Sequence, residues 1–139
     1  MEDRVFVDTN ILIYAHDTSA GIKHKKAQDI IVDLWESGLG ILSIQVLQEF
    51  FVCVTNKISK PLTLDKTKEI IESLLKWNIV VNDGEFILKA IEIHRRYRYS
   101  FWDSMIIQAA IKGNANFLLS EDLSNDQIIE GVRVKNPFL

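Results

Sequence analysis

Residues 5–15 read VFVDTNILIYA. One carboxylate, Asp8, interrupts a run that is otherwise apolar or neutral. Burying such a charge is expensive unless it is paired or bound to a metal. The residues before it, RVFV, are continuously apolar after Arg4, which suits a parallel strand covered on both faces. Asp8 therefore falls at the carboxyl end of a strand. The same side chain also suits the N-cap of a helix starting at Thr9 or Asn10.

Working outward, three further runs resemble strands: GILS at 40–43, NIVV at 78–81 and NFLLS at 116–120. VRVKNPF at 132–138 is a fifth candidate. Helical patterns fill the gaps. GIKHKKAQDIIVDLWESG ends at Gly38, and IQVLQEFFVCVTNKI follows Ser43 as its cap. TLDKTKEIIESLLKW opens on Thr63, GEFILKAIEIHRRYR follows Asn82-Asp83, and FWDSMIIQAAIKG ends at Gly113. Strands alternating with helices predict one α/β domain over 1–139, a mainly parallel four- to five-stranded sheet with helices on both faces. KISKPLT at 57–63 is a loop, and no repeat or linker divides the chain.

Composition removes several classes. At 47% hydrophobic and 25% charged, the 139 residues are not a disordered chain. A net charge of -3 argues against passive nucleic-acid binding. One cysteine, Cys53 in EFFVCV, excludes an internal disulfide and reads as a small core residue. His16, His24 and His94 show no zinc spacing. No apolar run reaches the ~18 residues of a membrane helix. MEDRVFVD lacks the basic start of a signal peptide. The expectation is a soluble protein of a reducing cytoplasm.

In open parallel sheets, ligand sites collect beyond the carboxyl ends of the strands. Asp8 lies at one such end, and Asp122 follows another. Glu49 lies in a helix whose Val46, Phe50 and Cys53 recur at steps of three and four, so it is expected near the buried side. Asp103 opens the largely apolar segment SFWDSMIIQAAI. Each acid has an ordinary structural explanation: a cap for Asp8, a capping-box spacing from Ser100 for Asp103, a turn for Asp122, a snorkelling side chain for Glu49. All four gathered at one sheet edge instead call for a divalent cation, since crowded carboxylates repel.

The ordered set VFVDTNILIYA, SIQVLQEFF, FWDSMIIQAA and FLLSEDL, with a closing NPF, resembles the PIN-domain family, and within it the small toxins of the VapC type. The resemblance covers essentially the whole chain. It implies an acidic quartet of Asp8, Glu49, Asp103 and Asp122, supported by Asn10 and Ser120. The stretch SEDLSND leaves Glu121 and Asp126 as alternatives for the last acid.

The resemblance implies an Mg²⁺-dependent endoribonuclease, with Mn²⁺ as a possible substitute, in which metal-activated water attacks an RNA phosphodiester. Asp8 and Asp103 would be the principal metal ligands, Glu49 would manage the attacking water, and Asp122 would orient the outer shell. HRRYRY at 94–99 offers Arg95, Arg96 and Arg98 to RNA phosphate, although cations at a helix C-terminus are also favoured by the dipole alone. HKK at 24–26 reads as a solvated face, and Trp35 and Trp77 as core or dimer packing. By the same resemblance a homodimer is expected, together with a cognate antitoxin that lays a helix in an apolar groove and offers an Arg to the acids.

The alternatives are a PIN-domain RNA-processing nuclease without antitoxin, or a non-catalytic PIN binding module. An aspartyl-phosphate phosphatase would want an acid where Asn10 stands. A phospho-accepting receiver domain would want its acid pair after the first strand, whereas Glu2 and Asp3 precede it.

Overall fold

The computed structural model describes residues 3–139, so Glu2 lies outside the described residues. Six strands and six α-helices follow in order: β1 (Val5–Val7), α1 (Thr9–His16), α2 (Ile22–Ser37), β2 (Gly40–Ser43), α3 (Ile44–Asn56), α4 (Leu64–Leu74), β3 (Asn78–Val80), α5 (Gly84–Tyr97), α6 (Phe101–Lys112), β4 (Phe117–Leu119), β5 (Ile128–Ile129) and β6 (Val132–Lys135). A single 3-10 turn at Thr18–Ala20 links α1 to α2.

The strands form one sheet in the order β3-β2-β1-β4-β6-β5. Every pairing is parallel except β5 with β6. Right-handed crossovers place α1–α4 on one face and α5–α6 on the other. The packing agrees: α1 contacts α2 and α3, α3 contacts α4, and α5 contacts α6. The core sits between these layers. Phe6, Val7, Leu42 and Leu118 from the strands are fully buried, with Phe50 from α3 and Ala110 from α6. From Ser104 to Ala110 every residue of α6 is buried, which explains why its apolar residues run all round the helix.

Local signals set the ends of these elements. The Ser43, Thr63, Asp83 and Ser100 side chains each accept a backbone N–H in the first turn of the helix that follows. Gly38 closes α2 in the left-handed conformation. The expected sheet of four or five strands has six. The additional strand is β5, joined to β6 by Glu130-Gly131, both at positive φ as a primed hairpin turn requires. Trp77 packs edge-to-face on Trp35 at 5.5 Å and lies directly over Gly40, where a Cβ would come within 2.3 Å of the indole.

Strand order runs leftward from β1 to β2 and β3, then returns past β1 to β4. The crevice beyond the carboxyl ends of β1 and β4 is therefore the topological switch point of the sheet, where open α/β folds place their ligands.

Candidate active site

Asp8 follows β1 at that switch point and is almost fully buried, with 6% of its surface exposed. Its backbone N–H donates to Leu119 O at 3.0 Å, which ties it to the end of β4. Both carboxylate oxygens are engaged. Oδ1 accepts the Thr9 N–H at 2.7 Å, and Oδ2 accepts the Ser120 hydroxyl at 2.7 Å. Asp8 is thus both the cap of α1 and a member of the acidic group. Burial pushes its pKa up to about 7 against the pull of the Ser120 and Thr9 hydrogen bonds, and the charges on Glu49 and Asp122 add to the rise.

The other acids gather around it. Ser43 caps α3, which carries Glu49 toward Asp8, and Thr9 Oγ1 donates to Glu49 Oε1 at 2.6 Å. Asp122 lies in the loop after β4. Its N–H donates to Ser120 Oγ at 3.1 Å, and its Oδ2 accepts Asn10 Nδ2 at 3.0 Å. Asp103 stands in the first turn of α6, where its N–H donates to Ser100 Oγ at 3.1 Å. Burial raises the Asp103 pKa. The Ser100 hydroxyl opposes this, and the Asp122 and Glu49 charges raise it further.

Among the described residues none of these four acids has a Lys, Arg or His within ion-pair distance. The two alternatives for the last position are engaged elsewhere. Glu121 pairs with Lys23 at 2.8 Å and accepts the Tyr14 hydroxyl. Asp126 pairs with Lys135 at 2.7 Å and with Arg133 at 3.8 Å. The acids sense one another's charge, yet among the described residues no three His, Cys, Asp or Glu side chains are close enough to surround one ion.

Three expectations are corrected. Glu49 is exposed, not directed to the buried side of α3. At 100° per residue it lies about 60° from buried Val46 and about 40° from Cys53, so it occupies the flank that borders the cleft. Cys53 is half-buried and lines that cleft instead of filling the core. His24 also departs from the solvated face expected of HKK, since its ring is half-buried and hydrogen-bonds Tyr14 O at 2.8 Å.

The arginines near Asp103 in sequence are largely committed on the surface. Arg95 meets Glu92 at 3.5 Å, and Arg96 meets Glu130 at 3.3 Å. Arg98 closes α5 with φ 64. Two further residues contribute polar contacts to the cleft: Thr9, which joins Asp8 to Glu49, and Gln45, whose amide reaches both Glu49 and Trp102 O at 3.4 Å. The DTN triplet carried the signal for Thr9. Nothing in the sequence pattern singles out Gln45.

The PIN domain family model matches residues 5–128. The chain belongs to the PIN-domain family. No curated protein matches this PIN domain in sequence. Its fold is similar to three solved structures. A toxin–antitoxin complex from Klebsiella pneumoniae matches with TM-score 0.68 at 18% identity, over 96% of this chain and 97% of the other. Mycobacterium tuberculosis VapC20, a sarcin–ricin loop cleaving toxin, matches with TM-score 0.61 at 17% identity, over 82% and 86%. DNA-bound VapBC from Salmonella typhimurium matches with TM-score 0.64 at 13% identity, over 98% and 99%. This PIN domain therefore has the fold seen in VapC toxins, and among the described residues no helix is long and apolar enough to cross a membrane.

Proposed function

We propose that this PIN domain is a metal-dependent endoribonuclease, the toxin of a VapBC-type pair. The observation that supports it is that four carboxylates with no cationic partner among the described residues border the crevice beyond β1 and β4, where the charges on Glu49 and Asp122 raise the pKa of both Asp8 and Asp103. Carboxylates that raise one another's pKa in this way are relieved by a cation.

The donor set fits Mg²⁺, or Mn²⁺ in its place. The available donors are hard oxygens, and Mg²⁺ keeps several waters and needs only one or two direct carboxylates. The spread of the four acids, too wide for a closed cage, is consistent with that. When bound, the ion would acidify water and offset charge on the phosphodiester.

On this reading Asp8 and Asp103 are the ligands. Ser120 and the Thr9 N–H hold the Asp8 carboxylate in one orientation. Thr9 holds one oxygen of Glu49, and the other, which accepts the Gln45 amide at 3.4 Å, keeps a lone pair to take a proton from the attacking water. Asn10 and Ser120 fix Asp122, which orients the outer shell. Attack by water, not the ribose 2′-hydroxyl, leaves a 5′-phosphate and a 3′-hydroxyl.

An apolar groove between α3 and α4, with Leu47, Phe51, Val52 and Leu75 on its walls, shares Val52 and Gln48 with the acid cleft. It suits an antitoxin helix that reaches an Arg to the carboxylates. A homodimer and a cytoplasmic site of action belong to the same reading.

The test is cleavage of total cellular RNA by the purified protein with Mg²⁺, with EDTA, and by Asp8→Asn. The expected result is discrete 5′-phosphorylated fragments that require both the metal and Asp8. Equal cleavage in EDTA or by the variant overturns the assignment. No cleavage by any form points to a binding module.

A further inference from the structure

Four carboxylates repel the polyanion they are proposed to cut, so the cleft needs a cation of its own. The part of it that Glu49 and Asp122 line, with Asn10 as a further polar wall and Ile13 and Val52 as apolar ones, has a volume of about 480 Å³. Lys57 is the one basic side chain among the described residues that line it. It is exposed and ends α3, its backbone N–H donating to Cys53 O at 2.7 Å. Its ammonium has no ion-pair partner among the described residues. Arg95 and Arg96, by contrast, already carry acidic partners.

Glu49, Cys53 and Lys57 recur every four residues, a single stripe along α3 that faces the cleft. At 1.5 Å per residue the backbone of Lys57 lies about 12 Å beyond that of Glu49. The ammonium forms no ion pair with Glu49 or Asp122, so it is not spent on neutralising the acids themselves. It stands instead where a strand crossing the acids would present a neighbouring phosphate. The apolar walls between the two positions can take base or ribose surface.

We propose that Lys57 anchors the RNA backbone in this cleft, its ammonium holding a phosphate that flanks the scissile one. This rests on the ribonuclease reading above. A lysine at a helix C-terminus is also favoured by the dipole, and that role would move stability but not the salt dependence of RNA binding.

The experiment measures binding of a short labelled single-stranded RNA to the non-cleaving Asp8→Asn protein across a salt series, with and without Lys57→Gln. Loss of one phosphate contact makes the slope of log K against log salt shallower by about 0.7. Affinity at low salt falls several-fold, and in the cleaving parent the effect of Lys57→Gln appears in KM more than in kcat. Lys57→Arg restores the slope, whereas Lys60→Gln, an exposed lysine that does not line the cleft, leaves it unchanged. An unaltered slope in Lys57→Gln, with the parent binding and cutting RNA normally, overturns the anchor while leaving the nuclease standing. A parent that neither binds nor cuts RNA overturns both.

Discussion

Asp8 serves two purposes that pull against each other. As a cap it is well placed, because one oxygen accepts the first N–H of α1. As a charge it is badly placed, with its surroundings lifting its pKa from 3.8 to about 7. Between those values the folded protein binds the proton that the unfolded chain has released. Stability is therefore unpenalised below about pH 4, falls as pH rises through that window, and carries the full cost above about pH 7. At 1.36 kcal/mol per unit the cost is at most about 4 kcal/mol. Asparagine removes the charge and keeps an oxygen for the Thr9 N–H, while its amide nitrogen donates to Ser120 Oγ in place of accepting from it. Without divalent ions, Asp8→Asn is expected to melt above the parent at pH 8, the gap closing toward pH 4. Superimposed melting curves at pH 8 would show that Asp8 does not carry a buried charge. Both readings of Asp8 were available from VFVDTN, and the structure joins them. Glu49 misled because Val46 and Phe50 bracket it, although a residue 60° from a buried neighbour lies on a flank as readily as on a face.

Helices α3 and α6 carry two of the acids, and each is started by a serine. Removing such a cap costs about 1 kcal/mol. Ser100→Ala should lose about that in urea unfolding, and it also frees Asp103 from its N-cap hydroxyl, so cation affinity should fall with it. A loss of stability with unchanged affinity would show that the cap does not position the acid. Strand β2 depends on a close approach. A Cβ at Gly40 would enter the Trp77 ring, so Gly40→Ala is expected to lose roughly 1–3 kcal/mol, partly recovered by adding Trp77→Leu. No recovery would place the strain elsewhere. Strands β1 to β4 and helices α2 to α6 were legible because their apolar runs and caps agree. Strand β5 was not, because two residues, Ile128 and Ile129, carry no period of their own and Glu130-Gly131 is a weak hairpin signal.

For the molecule as a whole, strand order decides where chemistry can occur. Four acids from positions 8, 49, 103 and 122 become neighbours because the chain reverses direction across the sheet between β1 and β4. Identities of 13–18% to proteins of the same fold show how far sequence can change while the fold is kept. The sequence disclosed the order of the acids and their strand ends. It did not disclose which acid of SEDLSND faces the cleft, since that depends on Lys23, Tyr14 and Lys135 engaging Glu121 and Asp126 from distant elements. A cation that binds only the folded cleft should raise Tm with its concentration. The rise should be larger at pH 8 than at pH 6, where the proton on Asp8 competes.

The central claim is that these carboxylates share a cation. Calorimetric titration of Mg²⁺ at pH 8 into the parent, Asp8→Asn and Asp103→Asn tests it most directly. The account predicts saturable binding by the parent that both folded variants lose. Equal binding by all three, or none by the parent, would contradict it.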